Sequence, residues 1–408
     1  MLGIYSIAIC FYLLGVRIAA LFSKKVALMV KGHKQTFKIL KEKIVSGEKY
    51  VWFHAASLGE FEQGRPLMER LRKEHPEYKI LLTFFSPSGY EVRKNYDGAD
   101  VICYLPLDTP LNARRFVKMA HPVMAFFIKY EFWQNYMKAL QGEQIPTYSV
   151  SSIFRKEQIF FRWYGGTYYK VLTRITHFFV QNEESKGLLA TRGITAVTVV
   201  GDTRFDRVID IANQAKKLPL VETFKSKYPV FVAGSSWEPD EDLFIRYFNE
   251  KSDWKLIIAP HVVSESHIKD ILSKLKRKVV RYTQANEQNV KEADCLIIDC
   301  YGLLSSIYRY GEIAHVGGGF GVGIHNVLEA AVYGIPVFFG PNNKRFQEAQ
   351  QLLACKGGWE VTDWTSYTTK MDALLYDEEA LKNSGKASEY YVKGHSGAAD
   401  IIYSAVFG

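Results

Sequence analysis

Three charged residues stand where a sheet enzyme would need them. In "VWFHAASLGEFEQ", Glu60 follows an apolar run and a Ser-Leu-Gly step. In "MAFFIKYEFWQN", Glu131 follows a second apolar run, and in "VTVVGDTRFD", Arg204 follows a third. If these runs are parallel strands, all three side chains lie at carboxyl ends, where open α/β sheets bind their ligands. Two carboxylates on one edge suit acid–base chemistry or a sugar-hydroxyl site. One of them can accept the proton of an attacking hydroxyl, and an arginine beside them can meet developing negative charge. Each residue also has a plainer reading. Ser57 and Glu60 have the spacing of a capping box, which closes the first turn of a helix. Lys129 can pair with Glu131, and Asp202 or Asp206 with Arg204.

The second half carries "HVGGGFGVGIHNVLEAAVYGIPVFFGP", a strand entering a glycine-rich loop with a helix expected to open near Ile324. Backbone amides of such a loop and the helix end can hold phosphate. No Gly-Lys-Ser/Thr follows, so it is not a P-loop, and no GxGxxG sits on a first strand. Asn326 and Glu329 fall one turn apart, placed for sugar hydroxyls; the alternative is a tight structural turn with a polar cap. Further strand ends carry Pro260-His261, Gly302 and the run "VAGSSWEPDED". His261 and His325 lie on different elements without ligand spacing, so no metal is expected, nor any other cofactor. The run from 154 to 179 is aromatic and basic, fit for a lipid surface or for a helix packing its rings inward.

These residues need elements to hold them. "KYVWFHA" (49–55), "YKILLTFF" (78–85), "DVICYLP" (100–106), "PVMAFFIKY" (122–130), "IPTYSVSS", "THFFVQN" and "AVTVVGD" (196–202) alternate with helical patterns. That alternation predicts a parallel sheet covered by helices. After "RVIDIANQAKKLPL" (207–220), expected to be helical and to break at Pro219, a second series runs through 229–241, 254–260, "RKVVRYT", 294–299, 313–319 and 335–341. The chain therefore reads as α/β, two doubly wound halves, with a ligand cleft expected between them. The expected divisions are an N-terminal anchor (1–22), a first domain (23–206), a linker (207–225) and a second domain (226–408).

The 408 residues are 48% hydrophobic and 14% aromatic, a globular composition with room for two domains. Cys10, Cys103, Cys295, Cys300 and Cys355 form no CxxC pair, which argues against a disulfide framework or zinc site and for a reducing compartment. The net charge is +9, and nine Lys and Arg against two Glu between Arg17 and Lys49 account for +7 of it. Such a segment suits nucleic acid or an anionic membrane. The uncharged 16-residue start "MLGIYSIAICFYLLGV" favours the membrane. A spanning helix needs about 20 apolar residues, so spanning and lying in the interface both stay open, as does a packed N-terminal helix. The following lysines would keep the body cytoplasmic.

In order, "HAASLGE", "LTFFSPSGYE", "YLPLD", "YEFWQN", "QNEES", "GDTRFD", "AGSSWEPDE" and "HNVLEAAVYGIPVFFGP" resemble the 3-deoxy-D-manno-octulosonic acid (Kdo) transferases of lipopolysaccharide synthesis. The resemblance runs over nearly the whole chain. It implies a GT-B fold of two facing Rossmann-like domains with an N-terminal membrane-associated helix. It also implies inverting transfer of Kdo from CMP-Kdo to the lipid A precursor at the cytoplasmic face of the inner membrane, with no nucleic acid as partner. By resemblance Glu60 is the proton acceptor, and Glu131 and Arg204 support the transition state. CMP would be held by Pro260 and His261, by Gly302, Leu303 and Leu304, and by Asn326, Val327, Leu328 and Glu329. The chain departs from the family pattern at four places. His261 stands where arginine is usual, Arg204 where lysine is common, and Lys129 where glutamate is usual. Gly323-Ile324-His325-Asn326 replaces Gly-Gly-His-Asn. The rival readings are another GT-B nucleotide-sugar transferase or epimerase, and a non-catalytic membrane-bound sugar-nucleotide binder.

Overall fold

Among the described residues there are fourteen strands in two all-parallel sheets; the expected apolar runs supply all but the last, Gly358–Glu360, which the sequence reading did not include. The protein is described by a computed structural model covering residues 2–166, 168–251, 253–321 and 323–408, without the side chains of 2–4, 10 and 13. Met1 of the expected anchor, the Cys10 side chain and Val322 of the glycine-rich run therefore lie outside the described residues.

The first sheet contains β1 (Lys49–Ala55), β2 (Tyr78–Phe84), β3 (Val101–Tyr104), β4 (Pro122–Ile128), β5 (Thr147–Ser152), β6 (His177–Val180) and β7 (Val197–Val199). Their order is β3-β2-β1-β4-β5-β6-β7. Successive side chains of β1 alternate faces, as a pleat requires. Trp52 packs with Phe127, Phe116 and Tyr136 on one side, and Phe53 packs with Phe126, Phe84 and Ile402 on the other. Because helices cover both faces, the central strands read as unbroken apolar runs instead of alternating ones.

The second sheet contains β8 (Val230–Ser236), β9 (Lys255–Pro260), β10 (Val279–Arg281), β11 (Cys295–Ile297), β12 (Ile313–Val316), β13 (Val337–Phe339) and β14 (Gly358–Glu360), ordered β10-β11-β9-β8-β12-β13-β14. Its core gathers Phe231, Phe244, Tyr247, Ile258 and Tyr367.

The chain divides into two compact units, residues 1–207 with 396–408, and residues 208–395. This differs from the expected divisions at the carboxyl end. The helix Ala398–Phe407 belongs to the first unit because Ala398, Ala399, Ile402 and Tyr403 complete that unit's apolar core. Asp206 caps this helix from a distance, accepting from the amides of Gly397 and Ala399 at 2.5 and 3.0 Å. The expected linker (207–225) is also corrected. A helix ends at Asn213, and Pro219 opens the next one, Pro219–Lys225. Proline lacks the N–H that a first helical turn leaves unpaired anyway, so it starts this helix instead of breaking one.

At the N-terminus, the helix Leu2–Ala19 is followed by the helix Lys24–Lys43. Met29, Gly32, Thr36 and Leu40 form the buried stripe of the second helix. Gly32 is there because an added Cβ would stand 2.2 Å from the Tyr104 ring. Lys24, Lys25, Lys31, Lys34, Lys38, Lys41 and Lys43 point to solvent. Among the described residues no helix is long and apolar enough to cross a membrane.

Candidate active site

In the first sheet, strand order reverses at β1 and β4, which lie side by side with His54 opposite Phe127. Glu60 follows β1 and Glu131 follows β4, so both carboxylates leave the switch point, the place where open sheets bind ligands. Glu60 sits in the first turn of the helix Leu58–Glu74. The Ser57 amide and hydroxyl donate to Glu60 Oε2 at 2.9 and 3.3 Å. Oε1 makes no hydrogen bond among the described residues. The capping box and the candidate base therefore coexist, one oxygen for each. Burial raises the Glu60 pKa above its ordinary value of 4.5; the charge of Glu131 adds to this, and His54, the Ser57 amide and Lys129 oppose it. A buried carboxylate made more basic by a neighbouring carboxylate is a pattern of catalytic acid–base pairs.

Glu131 reaches the edge through backbone strain. Lys129 has φ +61°, a left-handed conformation that costs a non-glycine residue about 1–3 kcal/mol. Its amide still bonds Val150 O at 2.8 Å, which keeps the kink on the sheet. Ser151 and Ser235 show the same conformation, φ +51° and +52°, where β5 and β8 bulge near their carboxyl ends. Glu131 Oε2 accepts from Trp133 Nε1 at 2.6 Å and from His54 Nε2 at 3.3 Å.

Arg204 begins the helix Arg204–Asn213 after β7. Its Nε and one terminal nitrogen donate to Asp202 Oδ2 at 2.9 and 2.8 Å. The plainer reading of Arg204 as an ion-paired residue is thus correct for Asp202, and Asp206 is engaged elsewhere. The pair is not a loose surface contact. Asp202 is buried and also accepts from Gln63 at 2.8 Å and Gln181 at 3.2 Å. Although burial alone would raise the Asp202 pKa, Arg204 and Gln63 lower it. Gln63 lies one turn beyond Glu60, so a single helix carries the candidate base and braces the mount of Arg204.

In the second sheet the switch point is β8 and β12. Asp240 ties their exits together, accepting from the Trp237 amide, the Gly318 amide and His315 Nε2 at 3.0, 3.0 and 3.1 Å. Pro260 ends β9, and His261 stacks against Trp237 and against His325, at centroid distances of 4.8 and 4.3 Å. Trp237 Nε1 donates to His325 Nε2 at 3.1 Å. Burial, and then the neighbouring His261, lower the His325 pKa. The two histidines thus meet as stacked rings, which their sequence spacing did not show.

Gly302, Leu303 and Leu304 follow β11, with Leu304 opening a one-turn helix. Asn326 Nδ2 donates to Glu329 Oε1 at 3.0 Å, and Asn326 Oδ1 accepts from the Leu328 amide at 3.2 Å. Val327 and Leu328 are buried. The helix expected near Ile324 begins only at Leu328 and spans one turn to Ala331, so its end offers fewer aligned amides than expected. Part of the glycine run is structural. A Cβ on Gly319 would lie 2.5 Å from Gly340 N, whereas one on Gly321 would meet nothing within 4 Å. The aromatic run divides as well: Phe154, Phe160 and Phe161 pack inward, and Trp163 is 92% exposed.

The sequence reading missed His54, Thr83, Gln63, Trp237 and Asp240. The available signal was a polar residue inside an otherwise apolar strand, as His54 is in "VWFHA".

Two doubly wound parallel sheets, each with its polar residues at the switch point, define a two-domain α/β protein of GT-B type. The UDP-GlcNAc 2-epimerase of Neisseria meningitidis bound to UDP-GlcNAc shares this fold, with TM-score 0.63 and 14% identity over 88% of this chain and 99% of that one. A putative UDP-N-acetylglucosamine 2-epimerase of Listeria monocytogenes matches with TM-score 0.57 and 15% identity over 88% and 96%. Residues 31–207 match the family described as 3-Deoxy-D-manno-octulosonic-acid transferase (kdotransferase). The 3-deoxy-D-manno-octulosonic acid transferase of Aquifex aeolicus (strain VF5) is 28% identical over 362 residues, 87% of this chain and 93% of the relative. That of Haemophilus influenzae is 26% identical over 83% of this chain and 80% of the relative. Over most of its length the chain is thus similar to Kdo transferases, and the family model matches within its first unit.

Proposed function

We propose that this protein transfers Kdo from CMP-Kdo to a primary hydroxyl of the lipid A disaccharide precursor, with inversion. Glu60 takes the hydroxyl proton as the oxygen bonds the anomeric carbon. The bond from that carbon to the CMP phosphate oxygen breaks, and CMP leaves with the electron pair. Glu131, at the same sheet edge, orients the acceptor. Arg204, held by buried Asp202, supplies positive charge for the departing phosphate. Pro260-His261, Gly302 through Leu304 and Asn326 through Glu329 form the CMP site. The single observation that carries the reading is the divided use of Glu60: Oε2 caps its helix, and Oε1 keeps its lone pairs for a proton.

The same proposal places the protein on the inner membrane's cytoplasmic face. Ile7, Phe11, Leu14, Ile18, Leu21 and Phe22 are each more than half exposed, and the next helix carries exposed lysines. Apolar insertion plus attraction to anionic lipid is how an interfacial helix binds.

Product mass analysis with lipid A precursor and a CMP-Kdo supply tests the reaction. The expected result is a product one Kdo or more heavier, with inhibition by CMP and not by UDP. Inhibition by UDP alone would favour a different GT-B enzyme, and CMP binding without turnover a non-catalytic binder.

A further inference from the structure

Beneath Glu131 runs a buried hydrogen-bond chain whose direction the donor chemistry decides. Trp52 Nε1 lies 2.8 Å from Thr83 Oγ1. An indole N–H only donates, so the Thr83 oxygen accepts. The hydroxyl then has one hydrogen to give. His54 Nδ1 is 2.8 Å away, and the alternative acceptor, Phe53 O, is 3.4 Å away. The shorter contact takes the hydrogen, which makes Nδ1 an acceptor and puts the ring's proton on Nε2. Nε2 faces Glu131 Oε2 at 3.3 Å. Trp52, His54 and Thr83 are all fully buried, so no water competes within the chain. Trp133 Nε1 donates to the same oxygen of Glu131 at 2.6 Å. With Oε2 held twice, the carboxylate plane is set, and Oε1 is the oxygen left to face a ligand.

We propose that His54 is a positioning residue for Kdo transfer: fixed as the Nε2–H tautomer by the chain Trp52 → Thr83 → His54, it orients Glu131 beside Glu60. This rests on the roles proposed for Glu60 and Glu131, and it adds something those roles do not require. A buried histidine that merely filled space could carry its proton on either nitrogen. This one carries it on the nitrogen that faces the carboxylate, and a threonine on the neighbouring strand makes the choice.

Two measurements on the full chain decide the matter. In protein labelled with ¹⁵N-histidine, His54 Nδ1 is expected to give the signal of an unprotonated nitrogen and Nε2 that of a protonated one. Thr83→Val should abolish that preference. In transfer assays, His54→Phe should lower kcat by about 10²-fold, the cost of a small misplacement at a reacting centre, with CMP affinity within twofold of wild type. His54→Gln, whose amide N–H₂ can replace Nε2–H, should recover at least tenfold of that loss. A proton on Nδ1 in the wild type would overturn the proposal, as would wild-type turnover by His54→Phe. Equal defects in the Phe and Gln variants would reduce His54 to a packing residue and overturn it too. The nitrogen signals need no turnover. A wild-type protein that fails to transfer Kdo therefore refutes the function reading, while the tautomer separately confirms or refutes the hydrogen-bond chain.

Discussion

The Ser57 amide donates to Oε2 of Glu60 at 2.9 Å, so the group that caps the helix is also the candidate base. Glu60→Gln separates the two roles, because a glutamine oxygen still accepts from that amide and cannot take a proton. Turnover should fall about 10²- to 10⁴-fold, the usual worth of a general base. CMP affinity should stay unchanged. Near-normal transfer by the Gln variant would return Glu60 to a capping role alone.

The pH dependence has a defined sign. The base must be ionised to act, and burial followed by the Glu131 charge raises its pKa. The acidic limb of kcat/KM should therefore lie above pH 4.5, the ordinary carboxylate value. Glu131→Gln removes the second cause and should move that limb toward acid. The native state also binds the Glu60 proton more tightly than the unfolded chain does. Stability is therefore lost as pH rises from the unfolded pKa through the folded one, and the cost is fully present at neutral pH. Glu60→Gln has no proton to lose and should melt no lower than wild type at pH 7. A lower melting point would mean that the capping contribution outweighs the burial cost.

Asn326 and Glu329 hold each other at 3.0 Å. If they bind the donor, Asn326→Ala and Glu329→Ala should each weaken CMP binding by about 1–3 kcal/mol, the cost of an unmet buried hydrogen bond. Calorimetric titration gives the answer directly, and unchanged affinity in both would remove them from the site.

Two glycines of the loop should behave differently. Gly319→Ala drives a Cβ against the Gly340 backbone and should cost about 1–3 kcal/mol of stability, as overpacking does. Gly321→Ala meets open space and should stay within about 0.5 kcal/mol of wild type. Chemical denaturation of both variants compares them.

The loop also shows where reading from sequence stops. Strand–helix alternation placed both sheets, and an apolar run followed by a charged residue located Glu60, Glu131 and Arg204 at strand ends. Those are local patterns. Glycine count did not separate the Gly319 that a neighbouring backbone demands from the Gly321 that nothing touches, because the neighbour is Gly340 on another loop. The stack of Trp237, His261 and His325 likewise assembles from three strand exits. Pro219 was misread because proline both ends and begins helices, and only the preceding turn distinguishes the cases.

Membrane binding should depend on exposed side chains that the core does not need. Phe11→Asp with Leu14→Asp changes residues that are 70% and 55% exposed, so folding should survive. Co-sedimentation with vesicles containing anionic phospholipid should drop sharply. For the wild type, raising salt should weaken binding without abolishing it, since the lysine contribution is screened beyond about 8 Å and apolar insertion is not. Full retention by the double variant would exclude this helix as the contact.

The return of residues 396–408 to the first unit makes the whole of 208–395 an insertion within it. A fragment ending at Arg207 would leave bare the apolar surface that Ile402 and Tyr403 cover, and would strip Arg70 of both Asp400 and the Tyr403 ring, 4.0 Å from its guanidinium carbon. A stop codon anywhere between Arg207 and Ala398 should therefore injure the half that carries Glu60, although that half's own strands lie wholly before it.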